Sequence, residues 1–186
     1  MDGLLDTGAL ENDPSVIYLL DRDWRFRLCN AAWDRFALAN GGEKLLRSSM
    51  IGSALFDSIS GEVAGHYRRA FQRVLDTGAV WQQEYECSSA RVQRRFSMQV
   101  YPVDGQLLVV NALLVEAAHP GDPFPGIEGS YRNSDGILVM CSNCRRTKTN
   151  KPPARWDWVP EFVGSRPPQV SHGLCQPCYE YYCARL

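Results

Sequence analysis

The chain predicts an α+β fold followed by a small cysteine-stapled module. Three features carry that expectation. The elements run strand, strand, helices, then three strands. A proline- and glycine-rich run breaks the periodicity near residue 117. Beyond it, four of the seven cysteines fall into two C-x-x-C pairs. Strands at both ends of a helical stretch imply an antiparallel sheet with helices covering one face.

The elements follow from local pattern. "VIYLL" at 16–20 is a short apolar run suited to a buried strand, and "DRD" turns the chain. "WRFRLC" sets Trp24, Phe26 and Leu28 against Arg25 and Arg27, the alternation of a half-buried strand. Asn30 is a natural N-cap for a helix over "AAWDRFALA". Trp33, Phe36 and Ala37 share one face of it, and Asn40-Gly41-Gly42 end it. A longer helix carries the stripe Val63, Tyr67, Ala70, Phe71, Val74 and Leu75 and stops at Gly78. Three strands follow: "WQQEYEC", "RRFSMQVYPV" and "QLLVVNALLVEA". The second alternates Phe96, Met98 and Val100 with Ser97 and Gln99, and "VDG" at 103–105 is a hairpin turn before the third.

"VIYLLDRDWRFRLCNAAWDRFA", "MIGSALFDSI", "HYRRAFQRVLDTG" and the three long strands together resemble a PAS sensory domain over residues 14–116. The resemblance implies a five-stranded sheet, a helical wall and a small-molecule pocket between them. It also implies a signalling role, usually within a homodimer. Candidate pocket residues are Trp33, Phe36, His66, Tyr67, Phe71, Met98 and Asn111. Flavin-photoadduct relatives carry a reactive cysteine on the middle helices, and "LLRSSMIGSALFDSIS" has none. His66 sits where haem-binding relatives place a ligand, but it lies off the apolar stripe and stands alone, so haem is not expected. Asn111 interrupts an apolar strand and needs a hydrogen-bond partner, either a ligand or the backbone. Cys29 and Cys87 fall in strands, where thiols act as small apolar residues.

Residues 117–136, "AAHPGDPFPGIEGSYRNSDG", read as a linker, and residues 137–186 as a second domain. The latter offers a strand at "ILVM", a short helix opened by Pro160 in "WDWVPEFV", and a last helix in "CQPCYEYYCARL". So short a segment with few apolar residues needs a staple. Cys141 and Cys144 form one C-x-x-C, and Cys175 and Cys178 the other. Two such turns brought alongside make a tetrahedron of sulfur, which suits structural zinc. A Cys-Cys-His-Cys set with His172 in place of Cys178 is the alternative. Otherwise His172 would donate an N–H to a thiolate or a backbone carbonyl. Reversible disulfides rank below zinc, because nothing resembles the βαβ setting of a redox C-x-x-C. Cys183 reads as a packed thiol, and no C-x-x-C-H haem motif occurs.

"CSNCRR", the Trp-and-acid stretch "WDWVPEFV" and "SHGLCQPC" also resemble a small module that follows PAS or receiver domains in bacterial signalling proteins. The match sits at Cys141, Cys144, Ser171, His172, Gly173, Cys175 and Cys178, while the spacers "KPPA" and "RPP" depart from it.

The formal net charge is -1. The acidic start lacks the apolar core of a signal peptide. The longest apolar stretch, "LLVVNALLV", is too short for a membrane helix, so a soluble cytoplasmic protein is expected. In a reducing compartment, paired cysteines favour metal over structural disulfides. Arg145, Arg146, Lys148, Lys151 and Arg155 form a basic run. Such a run either contacts nucleic acid or offsets the charge of four thiolates on zinc, about -2 in all. No residue set argues for catalysis. The expected function is therefore non-enzymatic: sensing or dimerisation by the PAS part, and docking of an unknown signalling partner by the zinc module. The alternative is a nucleic-acid-binding regulator.

Overall fold

The computed structural model describes residues 6–59, 61–119, 123–165 and 167–183. Residues 120–122 of the expected linker lie outside the described residues.

Helix α1 (Thr7–Asn12) begins where the Asp6 carboxylate accepts the N–H groups of Gly8 and Ala9. Strand β1 (Val16–Leu20) pairs antiparallel with β2 (Phe26–Cys29). Between them the Asp21 carboxylate accepts the N–H groups of Asp23 and Arg25, and the Trp24 N–H bonds to the Asp21 carbonyl. This turn holds Trp24 at φ 61°, outside the strand. The expectation that Trp24 alternates with Phe26 and Leu28 is therefore corrected, because the turn closes one residue later than the pattern implied. Phe26 and Cys29 are the buried members of β2.

Asn30 caps α2 (Ala31–Ala39) as expected and does more. It is wholly buried. Its Oδ1 accepts from Ile17 N and Trp33 N, and its Nδ2 donates to the carbonyls of Leu10, Asp13 and Ser15. One side chain thus satisfies the start of β1, the start of α2 and the exit from α1.

After the one-turn α3 (Arg47–Met50) comes the long α4 (Gly61–Thr77), which ends at Gly78 with φ 69°. Strands β3 (Trp81–Glu86), β4 (Val92–Val103) and β5 (Gln106–Ala118) complete a five-stranded antiparallel sheet in the order β2-β1-β5-β4-β3. Asp104 and Gly105 both have positive φ, as a tight hairpin turn requires. On β4, Phe96, Met98 and Val100 are buried as the alternation predicted. Ser97 is buried too, with the Gln82 amide donating to its hydroxyl at 3.2 Å. The Cys29 thiol is pushed up to about 12, first by burial and then by the charge of Asp34, so it stays protonated and inert.

Among the described residues, one compact unit gathers those within 1–60, 67–84 and 96–113. The second gathers those within 61–66, 85–95 and 114–186. Its own sheet contains β6 (Leu138–Cys141), β7 (Thr147–Lys148), β8 (Trp156–Asp157) and β9 (Val170–Gly173), in the order β8-β7-β6-β9. Helix α5 (Pro160–Gly164) starts at Pro160 as expected, and α6 (Gln176–Cys183) ends the described chain. A small core of Tyr131, Leu138, Met140, Val159 and Phe162, flanked by Val170, lies within this unit.

Two residues of the stretch read as a linker pack here. The His119 ring stacks on Trp158 at 3.7 Å. Tyr131 is 5% exposed and its hydroxyl donates to the buried Asp157 carboxylate at 3.0 Å.

Two outcomes follow. Replacing Asn30 with Ala orphans buried donors and carbonyls at three element ends, and should cost about 3 kcal/mol in chemical denaturation. The Tyr131 hydroxyl is raised to about 12 from 10.0, first by burial and then by its bond to Asp157. Folding thus favours its protonated form. That stabilisation is complete below its ordinary value of 10.0 and is lost as pH rises through about 12. Thermal melts across alkaline pH should show wild type and Tyr131→Phe converging over that window.

Candidate metal centre

The two C-x-x-C turns meet because β9 runs parallel to β6. Cys141 is level with Gly173, and Ser142 N donates to the Gly173 carbonyl at 2.8 Å. The first turn then closes through Cys141 N on the Arg146 carbonyl, with Arg145 at φ 62°. Cys175 lies just ahead of α6 and Cys178 within its first turn, where Tyr179 N bonds the Cys175 carbonyl.

All four thiols are buried, and their Sγ atoms lie within 4.8 Å of one another. The Cys144 and Cys175 sulfurs are 3.6 Å apart. A disulfide would need about 2.05 Å. Four sulfurs about 2.3 Å from one zinc ion stand about 3.8 Å apart, so the donor set fits a tetrahedral ion.

The electrostatics of the cluster point the same way. Cys141 is held far below the ordinary thiol range, first by the Cys144 thiol and then by those of Cys175 and Cys178. Those three are pushed well above it, Cys141 being the leading cause for each. Sulfurs this close oppose one another's ionisation, and a dication would let all four ionise.

Polar groups surround the sulfurs. Cys175 N donates to Cys141 Sγ at 3.5 Å, and Asn143 Nδ2 to Cys178 Sγ at 3.2 Å. The Tyr182 hydroxyl donates to Asn143 Oδ1 at 2.8 Å, and the Tyr182 ring stands edge-on to the His66 ring at 5.1 Å. Burial opposes the charge of Arg146, but its bond to Cys144 and the charges of Cys144, Glu86 and Cys175 raise its pKa on balance. The rest of the basic run disperses. Arg155 pairs with Asp157 at 2.7 Å and lies over the Phe124 ring, while Lys148 and Lys151 are exposed.

His172 is exposed on β9 and stands outside the four-sulfur group. Asn143 and Tyr182 were not read from the sequence. An Asn inside a C-x-x-C was the available signal for the first. Nothing in the chain's order marks the second.

The candidate pocket residues divide. Trp33, half-buried, donates its indole N–H to the Leu45 carbonyl and packs on Tyr18 and Phe26. Phe36 meets Phe96 edge-on at 5.6 Å. Tyr67 and Phe71 are buried together against Trp81. Met98 is buried on β4, and Asn111 on β5 donates to the Val16 carbonyl at 3.1 Å. His66 belongs to the other unit, beside Tyr182.

Comparison with known proteins bears on residues 10–117. The PAS domain of the RpfR quorum-sensing receptor from Cronobacter turicensis, in complex with BDSF, is 22% identical. The match covers 56% of this chain and 97% of that one, with a TM-score of 0.44. A domain of an HTR-like protein from Haloarcula marismortui is 18% identical over 55% of this chain and 100% of that one, with a TM-score of 0.42. The PAS domain of BvgS from Bordetella pertussis is 13% identical over 56% of this chain and 76% of that one, with a TM-score of 0.40. Comparison with curated proteins gives no match. The family model described as PAS fold matches residues 10–117, more than half of the sequence, and the chain belongs to that family.

Proposed function

We propose that the chain is a non-enzymatic sensory or regulatory protein. In this reading the PAS unit senses a small molecule or dimerises, and a zinc-stapled second unit docks a partner. The observation that carries the metal assignment is the buried cluster of four sulfurs within 4.8 Å of one another. Cys141, Cys144, Cys175 and Cys178 would hold the ion. Bound zinc would offset half the charge of the four thiolates and tie the two turns together. Four thiolates fill a tetrahedral ion, which leaves no position for substrate and favours a structural over a catalytic role.

Association through the PAS unit has one support on its surface. Leu113, Leu114 and Val115 on β5, within the residues matched by the family model though the last two fall in the second unit, are all exposed. Among the described residues, no helix is long and apolar enough to cross a membrane. The nucleic-acid alternative has weaker support. A phosphate-tracking face needs cations on one side. Here Arg146 is turned to the thiolates and Arg155 to Asp157.

Native and then denaturing mass spectrometry tests the metal reading. One zinc per chain is expected, released on denaturation with every cysteine still reduced. Metal-free protein, or disulfides among the four, would sink it. Structural zinc contributes on the order of 10 kcal/mol to domains of this kind. Chelation, or Cys178→Ser, should therefore abolish the near-ultraviolet circular dichroism of the second unit's tryptophans. Asn143→Ala removes a donor to a ligand sulfur and should weaken zinc roughly tenfold in competition with a chromogenic chelator.

A further inference from the structure

The basic run divides by strand alternation. Thr147 on β7 is wholly buried, while Lys148 next to it faces outward. Lys148 and Lys151 line a cleft in the second unit of about 390 Å³, within the size range of ligand pockets.

Its apolar surface comes from Ile137, Val139, Pro152 and Ala154, and among the described residues no carboxylate lines it. Its other polar side chains are engaged elsewhere. Asn133 Oδ1 accepts from the N–H groups of Asp135 and Ile137. Asn150 Nδ2 donates to the carbonyls of Gly129 and Arg132. Thr149 Oγ1 accepts from Arg155 N. The Tyr131 hydroxyl is held by Asp157. The two ammonium groups remain, and among the described residues neither pairs with a carboxylate.

We propose that this cleft docks a short acidic peptide segment of a partner, with an apolar side chain on the floor and flanking carboxylates on Lys148 and Lys151. The proposal rests on the docking reading above and names its site. An apolar floor is wasted on phosphate but gains from burying a Leu-, Ile-, Met- or Phe-sized group. Lysine is a point charge that pairs readily with a carboxylate. Two cations are too few for a duplex footprint, whose affinity grows with the number of phosphates neutralised.

The test pans a random peptide library displayed on phage against the intact chain. Selected peptides are then titrated by fluorescence anisotropy against wild type, Lys148→Glu/Lys151→Glu and Ala154→Glu. All three positions are exposed, and near-ultraviolet circular dichroism and metal content report whether each variant keeps its fold. Selected sequences should carry Asp or Glu around one large apolar residue. Their binding should fall with salt, and weaken about tenfold or more in both variants. Peptides that bind the folded variants equally overturn the cleft while leaving docking elsewhere intact. Basic peptides, or none, overturn the cleft and peptide docking together. Binding of a random-sequence DNA duplex that the lysine reversal abolishes would assign the cleft to nucleic acid and overturn the proposal. A chain that binds peptide as proposed but holds no zinc would separate the two readings.

Discussion

Four sulfurs crowded into one shell set the terms for the second unit. Two unit charges about 4 Å apart, at an effective dielectric of about 20, repel by roughly 4 kcal/mol. Within 4.8 Å of one another the four thiols cannot all ionise unaided. A bound dication would convert that repulsion into cohesion. The same demand accounts for the neighbours: backbone N–H of Cys175, the Asn143 amide and the Arg146 guanidinium all present positive ends to sulfur. Among the described residues the unit's apolar core has five buried members, too few to hold it by burial alone.

In the first unit one buried polar side chain ties three element ends together. Asn30 occupies the junction of a helix exit, a strand start and a helix start, and meets the needs of all three. Around it the core is aromatic and aliphatic, with Phe26, Phe71 and Val100 almost wholly buried. One buried amide works there because every bond it can make is made.

Much of this was legible in the chain. The helix "AAWDRFALA" and its Asn30 cap, the alternation of Phe96, Met98 and Val100, the turn at 103–105 and the Pro160 start of α5 are local signals. Each depends on residues within a few positions of one another. Trp24 misled because alternation cannot report where a turn closes, and Asp21 closes this one past it. Strand β9, "VSHG", was missed because its apolar content is slight; only its partner β6 makes it a strand.

The sequence by itself determined the order of elements in the PAS unit and the identity of the four metal-ligating candidates. Cysteine spacing and hydrophobic period are one-dimensional quantities, set by how far a turn or a helix reaches. Only the tertiary structure decided that β9 lies parallel to β6, that His172 is exposed and lies outside the four-sulfur group, and that the basic run splits between thiolates, a carboxylate and an open cleft. Those outcomes depend on which face of a strand a residue takes and which distant segment lies beside it. Both are fixed by packing between segments far apart in sequence, and no local pattern encodes them.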